Sequence, residues 1–322
     1  MSPVRHHTVQ VPATSANLGP GYDAYGVALD LHLVARSLPR DAQEPRVRVS
    51  GEGAEDLPTG DDNLVWQAFV RFCDHVEVAV PDVALEAVNR IPLERGLGSS
   101  SAAIVAGLTL ARALTGVPVG DRALVPLASD LEGHPDNVAP ALLGGLVVCS
   151  RDDAGTVVVR RINPAPPLRP VVLVPPTRQS TTDARAVLPD HLAAADVAVQ
   201  AGRAGHVLGA FTGLWPVDPR LSGDLLHEPA RRHVMGPSTA LLAALRADGV
   251  HAWLSGAGPT VAVAVPRGQA DDVARCRAHA EVHGFVTQPL AFDLAGAVAC
   301  PDGGCAFAAV DRCVQCPRER LS

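Results

Sequence analysis

A glycine- and serine-rich loop that runs into a long apolar helix constrains this chain more than any other stretch. The loop occupies residues 91–101, and the apolar pattern continues to Gly116. Gly96 and Gly98 allow the backbone to turn tightly and to approach a ligand closely. The first N–H groups of the helix carry the positive end of its dipole, which favours an anion. The stretch therefore predicts a buried helix whose N-terminus binds a polyphosphate.

Three consecutive serines, Ser99, Ser100 and Ser101, stand where this helix begins. Serine side chains commonly cap helices, so we expect cap oxygens here, and the same hydroxyls can meet a phosphate or a metal ion. The alternative is ordinary capping before a buried helix, which a short motif of this kind does not exclude. Motifs elsewhere in the chain must decide between the two.

Composition limits the classes of function. A chain of 322 residues has room for two domains, and its net charge of -7 argues against nucleic acid or an anionic membrane as the main partner. No apolar run is long enough to span a membrane, and the polar segment 1–10 does not read as a signal peptide. We expect a cytoplasmic protein.

The basic residues are unusual in kind. All 27 are arginine, and the chain contains no lysine. This excludes a Walker A lysine, a protein-kinase strand lysine and a Schiff-base lysine. Any phosphate chemistry must use the helix dipole, backbone amides, a metal ion and arginine.

Three motifs in order resemble those of the GHMP small-molecule kinases. They are residues 11–22, 92–103 and 254–260, and the segment 132–140 resembles the homoserine kinase branch. The resemblance extends over about residues 8–298. It implies an α+β fold of two domains, with a ribosomal-protein-S5-like N-terminal domain and a ferredoxin-like C-terminal α+β sandwich.

The domain boundaries follow from this resemblance and from composition. We expect an N-terminal domain over residues 1–165, a C-terminal domain over 166–298 and a tail over 299–322, with the proline-rich stretch 163–170 as the linker. The tail holds Cys300, Cys305, Cys313 and Cys316. These thiols could bind zinc, but only the last two have familiar ligand spacing, so we favour a disordered or docking tail.

The resemblance implies ATP and Mg²⁺ as cofactors. Its ATP-binding residues map to Pro92, Leu93, Glu94, Arg95, Gly96, Leu97, Gly98, Ser99, Ser100, Ser101 and Ala102. Arg95 either touches a phosphate or is a solvated loop charge, and we favour the second. The metal ligands map to Ser100 and Glu132.

The sequence around Glu132 agrees with a bound cation. A helix is predicted over residues 121–132, so Glu132 lies at its C-terminus, where the dipole disfavours a carboxylate unless a cation compensates. An exposed helix-end glutamate is the alternative. The resemblance also assigns Asn137 to catalysis. An amide cannot accept a proton, so catalysis would depend on positioning, metal and helix N-terminus.

For the substrate, the resemblance maps an amino-acid pocket to Asn17, Asp23, His134, Arg185 and Arg231. An acidic Asp23 suits an ammonium group, and an arginine fork suits a carboxylate. Turn chemistry is the alternative for Asn17 and Asp23, and a structural role is the alternative for His134. Arg232 rivals Arg231 for the carboxylate. Tyr22 stands where the family usually has phenylalanine, which adds a hydroxyl near the pocket.

The leading hypothesis is an ATP-dependent kinase of L-homoserine that makes O-phospho-L-homoserine for threonine synthesis. A related kinase of another hydroxy amino acid and a non-catalytic small-molecule sensor are the alternatives. Ser100 and Glu132 argue against the sensor, and Asp23, Arg185 and Arg231 argue for an amino acid over a sugar or mevalonate. The sequence leaves open whether the protein is a homodimer.

Overall fold

A computed structural model describes residues 6–165, 167–266 and 270–301. The strands are β1 (His7–Asn17), β2 (Gly21–Pro39), β3 (Val47–Gly51), β4 (Val83–Asn89), β5 (Leu146–Arg151), β6 (Val157–Ile162), β7 (Leu168–Val174), β8 (Ala252–Leu254), β9 (Val261–Pro266), β10 (Val286–Pro289) and β11 (Val298–Pro301). The α-helices are α1 (Leu64–His75), α2 (Ser99–Thr115), α3 (Asp121–Glu132), α4 (Pro135–Leu143), α5 (Thr181–Ala186), α6 (Ala194–Phe211), α7 (His227–Arg231), α8 (Gly236–Ala247) and α9 (Ala270–Val282). The fold is α+β, as predicted.

The first sheet is organised by β2, whose 19 residues pair with β1, β4 and β5. The strand order is β11-β1-β2-β4-β3, and β5 and β6 extend it from β2. All these pairs are antiparallel except β3–β4. The loop between β4 and α2 therefore leaves the sheet beside β2, where the predicted anion-binding helix begins.

Helix α2 lies in the core, as its apolar sequence predicts. It ends at Gly116, whose φ of 67° is the left-handed conformation typical of a helix C-cap. The predicted serine caps are wrong: Gly98, with φ 69°, is the N-cap, and no side chain caps the helix. The serine hydroxyls are therefore available to other groups. Among the described residues, no helix is both long and apolar enough to cross a membrane.

The second sheet has the order β10-β7-β9-β8. Its strands β7, β8 and β9 are mostly buried on both faces, whereas β10 is partly exposed. Along β7, Val171 and Leu173 pack with α8 and α9, whereas Val172 packs into the main core with the first sheet. This alternation is the period-two pattern of a strand. The second sheet is thus clamped between its own helices and the first part of the chain.

The chain returns to the first sheet after β10. Residues 291–293 pair with residues 28–30 of β2, and β11 pairs with β1. The expected boundaries differ here, because residues 299–301 belong to a strand rather than to a tail. Cys300 is buried in β11. Cys305, Cys313 and Cys316 lie outside the described residues.

Candidate active site

One cavity of about 460 Å³ brings most of the predicted site residues together. Those that line it are Asn17, Asp23, Pro92, Leu93, Glu94, Arg95, Gly96, Leu97, Gly98, Ser99, Ser100, Glu132, His134, Asn137, Arg185 and Arg231. Two predicted ATP-binding residues, Ser101 and Ala102, do not line it. Ala102 is fully buried and its N–H already bonds to the Gly98 carbonyl.

One end of the cavity, which we call the serine end, is lined by Ser100 and Glu132, and Ser101 supports the Glu132 carboxylate from outside the lining. Both serine hydroxyls donate to Oε1 of Glu132, each at 2.7 Å. Helix α3 ends at Glu132, as predicted, because Gly133 follows with a φ of 94°. Among the described residues, Glu132 forms no ion pair with a basic side chain. The serine end is thus a set of hard oxygen ligands with an uncompensated negative charge.

The loop before α2 is fixed by the turn at residues 255–260. The Ser255 hydroxyl donates to the Gly96 carbonyl at 2.6 Å. A Cβ on Gly96 would lie 2.1 Å from the Ser255 carbonyl oxygen, and its φ is 71°, so only glycine fits. The second sheet therefore holds the anion-binding loop in place.

Arg95 takes a role that neither alternative anticipated. Its guanidinium donates to three carbonyls, those of Leu93, Pro175 and Pro176, at 2.6–2.8 Å. The neighbouring Glu94 carbonyl accepts from the N–H of Gln179 at 2.8 Å. The guanidinium joins the loop to the segment after β7, and three of its five N–H donors are bonded to backbone carbonyls.

The other end, which we call the arginine end, consists of Tyr22, Asp23, Arg185 and Arg231. Arg185 donates to both carboxylate oxygens of Asp23, at 2.7 and 3.0 Å, and to the Tyr22 hydroxyl at 2.9 Å. Burial alone would lower the pKa of Arg185, but the hydrogen bond and charge of Asp23 outweigh it and raise the pKa. The two residues predicted for opposite substrate charges are thus paired with each other.

Arg231 is buried with only 2% of its surface exposed. It donates to the carbonyls of Ala184 and Gly256 and to Nδ1 of His227, at 2.9–3.2 Å. Burial lowers the pKa of Arg231, and no carboxylate among the described residues pairs with it. Arg232, its rival in the sequence, is exposed and does not line the cavity. The cavity therefore holds a buried cation without an anionic partner.

Asn17 combines the two roles that the sequence left open. Its amide nitrogen donates to the Gly256 carbonyl at 2.8 Å, and its amide oxygen accepts from the N–H of Asp23 at 3.1 Å. Its φ of 73° is the left-handed conformation that asparagine tolerates in turns. Asn17 lines the cavity and also fixes the backbone of Asp23.

Asn137 and His134 lie at the start of α4. Pro135 occupies the first helical position, where its missing N–H is tolerated. The amide oxygen of Asn137 accepts from the Thr14 hydroxyl at 2.8 Å, which leaves the amide N–H groups for a ligand. His134 pairs through Nδ1 with Oδ1 of Asp136 at 2.5 Å. Burial opposes protonation of His134, but Asp136 outweighs it and raises the pKa of the imidazole.

Sequence reasoning missed Asp136, Thr14 and the supports of Arg231. Asp136 is 2% exposed and lines the cavity, and its carbonyl is so near β2 that a Cβ on Gly26 would lie 1.8 Å from it. The residue stood beside His134 and Asn137, and this adjacency was the available signal. Thr14 is 123 residues from Asn137, so no local pattern identified it. His227 lies four residues before Arg231 on α7, and this helical spacing was a signal that sequence reasoning did not use.

Comparisons with known proteins agree with this arrangement. The family described as "GHMP kinases N terminal domain" matches residues 63–145. A homoserine kinase of Streptomyces avermitilis is 40% identical over 298 residues, which cover 91% of this chain and 95% of that protein. A homoserine kinase of Synechococcus is 41% identical over 257 residues, 79% of this chain and 83% of that protein.

Solved structures share the fold. A homoserine kinase from Cytophaga hutchinsonii aligns with a TM-score of 0.79 at 24% identity, over 93% of this chain and 99% of that chain. A putative homoserine kinase from Listeria monocytogenes aligns with a TM-score of 0.71 at 29% identity, over 91% and 99%. With the sequence relatives, these matches show that the chain belongs to the GHMP kinase family, in its homoserine kinase branch.

Proposed function

We propose that this chain transfers the γ-phosphate of ATP to the side-chain hydroxyl of L-homoserine, giving the threonine precursor O-phospho-L-homoserine. The family supports the reaction. The observation that carries the residue assignment is that one cavity joins a glycine- and serine-lined helix N-terminus to a buried arginine without an anionic partner. The first suits a polyphosphate and the second suits an amino-acid carboxylate.

ATP would bind between the loop before α2 and an apolar wall. Val49, Leu57 and Leu93 line the cavity beside that loop and suit a purine ring. No lysine is available, so backbone N–H groups and the dipole of α2 would hold the phosphates. Because Arg95 is bonded to backbone carbonyls, phosphate binding would depend still more on the backbone N–H groups.

The serine end fits Mg²⁺ by the chemistry of its ligands. Hydroxyl and carboxylate oxygens are the ligands that Mg²⁺ takes, and Glu132 has no basic partner among the described residues. Ser100 and Glu132 would hold the ion, with Ser101 supporting the carboxylate. Bound there, Mg²⁺ would neutralise charge on the phosphate oxygens during transfer.

At the arginine end, the substrate would replace an internal ion pair with its own charges. Its ammonium group would bind Asp23, and its carboxylate would bind Arg185 and Arg231. Asn137 cannot act as a base because an amide does not accept a proton, so its free N–H groups would position the hydroxyl or the phosphate. Alignment of the hydroxyl with the phosphate then provides most of the rate enhancement.

A coupled ADP-release assay tests the proposal. We expect turnover with L-homoserine and ATP, much weaker turnover with L-serine and L-threonine, and none with mevalonate. Phosphorus NMR of the product would identify the phosphate ester. Preference for another hydroxy amino acid would assign the chain to a different substrate, and the absence of ADP release with any of them would contradict a kinase.

A further inference from the structure

Tyr22 lies close to both arginines of the arginine end. Its ring centroid is 5.7 Å from Cζ of Arg185 and 5.9 Å from Cζ of Arg231. The ring also contacts His227, with ring centroids 5.2 Å apart. Tyr22 lines the cavity, so its hydroxyl is held among charges at a wall that a ligand would touch.

The hydrogen bonding of this hydroxyl leaves its proton available. Arg185 donates to the Tyr22 oxygen at 2.9 Å, and a guanidinium can only donate, so the phenol oxygen is the acceptor. Within the described ranges, the phenol proton has no protein acceptor. Burial, and after it the charge of Asp23, raises the pKa of Tyr22, so the group stays a neutral donor at physiological pH.

We propose that the Tyr22 hydroxyl donates a hydrogen bond to the α-carboxylate of the amino-acid substrate and is a specificity-determining residue of this kinase. This inference rests on the proposed function. Two arginines and a phenol would together bind one carboxylate, whose oxygens have lone pairs for all of them. A ligand that lacks the carboxylate would leave the phenol proton and Arg231 without partners, which penalises its binding.

The direct test replaces Tyr22 by phenylalanine, which removes only the hydroxyl. We expect KM for L-homoserine to rise about tenfold to a hundredfold, with kcat and KM for ATP within about twofold of the wild type. Tyr25→Phe is the matched control, because it is the other of the chain's two tyrosines and does not line the cavity. Unchanged KM for L-homoserine in Tyr22→Phe would overturn the proposal.

A substrate without the carboxylate distinguishes recognition from a general structural effect. 3-Amino-1-propanol has the ammonium and the hydroxyl of homoserine but no carboxylate. Tyr22→Phe should leave kcat/KM for this amino alcohol unchanged or raise it, because the unpaired phenol proton is removed, while lowering kcat/KM for L-homoserine. An equal loss for both compounds would show that the hydroxyl supports the pocket rather than the carboxylate, and would overturn the proposal.

A double-mutant cycle separates direct contact from an effect through Arg185. If the hydroxyl touches the carboxylate, adding Tyr22→Phe to Arg185→Leu should still weaken L-homoserine binding several-fold. If the effect vanishes in that background, Tyr22 only holds Arg185 and the proposal is wrong.

Calorimetric titration of L-homoserine into each variant measures binding without turnover. A wild type that releases no ADP but binds L-homoserine more tightly than Tyr22→Phe would contradict the proposed reaction and support the Tyr22 assignment. An active wild type that binds L-homoserine no more tightly than Tyr22→Phe would support the proposed reaction and contradict the Tyr22 assignment. A wild type that does not bind L-homoserine would overturn both.

Discussion

The serine end of the cavity offers hydroxyls and one carboxylate that no basic side chain neutralises, whereas the arginine end offers charges that largely satisfy one another. Ser100 and Ser101 both donate to Glu132, which has no ion pair among the described residues. Arg185 is bonded to Asp23 through both carboxylate oxygens. Only Arg231, buried and bonded to neutral groups, breaks this pattern.

This difference indicates how each end meets its ligand. The serine end is prepared for a cation, and losing its carboxylate should impair the chemical step. The arginine end must exchange an internal partner for a ligand group, so changes there should alter which substrate binds more than how fast phosphate is transferred. The predictions below test that division, from the largest expected effect to the smallest.

Glu132→Gln should lower kcat by orders of magnitude, because a neutral amide is a poor ligand for Mg²⁺. The dependence of rate on Mg²⁺ concentration should shift to higher concentrations. Glu281→Gln is the matched control, because Glu281 is an exposed glutamate near the C-terminus of α9, far from the cavity residues in sequence. Steady-state rates at several Mg²⁺ concentrations make the comparison. Wild-type activity with the wild-type Mg²⁺ dependence would remove Glu132 from the site.

Arg231→Leu should lower kcat/KM for L-homoserine roughly tenfold to a hundredfold and leave KM for ATP nearly unchanged. Arg231→Lys should recover only part of the lost kcat/KM, because a point charge cannot make the paired contact with a carboxylate. The leucine variant should also lose about 1–3 kcal/mol of unfolding free energy, since the carbonyls of Ala184 and Gly256 lose a donor.

The exposed neighbour provides the control for that variant. Arg232→Leu should keep both kinetic constants and stability, because its side chain is exposed and outside the cavity. Kinetics and thermal unfolding of the three variants measure the two effects separately. Weak ATP binding with normal L-homoserine binding in Arg231→Leu would assign this arginine to the nucleotide instead.

Titration of His134 should make substrate binding at the arginine end more sensitive to pH than nucleotide binding at the serine end. Its folded pKa is raised, so its pairing with Asp136 stabilises the protein fully below the unfolded value of about 6.5 and is lost as pH rises through the folded pKa. Neutral His134 leaves the Asp136 carboxylate uncompensated. KM for L-homoserine should therefore rise over that pH range, with a smaller change in KM for ATP.

His134→Gln tests the assignment of this titration. The variant should lose the pH-dependent step in KM, and its stability deficit relative to the wild type should shrink as pH rises. Kinetic profiles and urea unfolding over about pH 5.5–8.5 cover the relevant interval. A step that persists in the variant would belong to another group.

Truncations at the C-terminus should have the smallest effects on activity. Ending the chain after Pro301 keeps all of β11, and we expect unchanged kinetics and stability. Ending it after Val298 leaves only the Gln10–Val298 pair of four, so about 1–3 kcal/mol and a few degrees of Tm should be lost. KM for both substrates should stay the same in each case, since β11 does not line the cavity. Loss of activity without loss of stability would contradict this.

Sequence reasoning predicted local elements better than their long-range partners. The bounds of α3 and the end of α2 at Gly116 follow from periodicity and glycine, which act within a few residues. The pairing of β11 with β1 joins residues about 290 positions apart, and the short segment 298–301 contains no pattern that identifies its partner strand. The assignment of residues 299–301 to a tail missed this pairing for that reason.

The site shows the same limit. The residues that converge on the cavity were named from motifs, but their bonds to one another were not. That Arg185 pairs with Asp23, and that Arg95 serves backbone carbonyls, depends on how two sheets meet. Serines 99–101 were misjudged as caps because Gly98 already adopts a left-handed conformation at the start of α2.

The return of the chain to its first strand means that the second sheet is tied to the first at both ends. One crossing precedes β7 and the other follows β10, where residues 291–293 pair with β2. Because two connections join it to the first sheet, the second sheet can tilt but cannot rotate away about a single hinge. A single proteolytic cut in either crossing would leave the two pieces associated. Because His7 pairs with Pro301, the described chain ends meet within one strand pair, and a circular permutant could join them through a short connection.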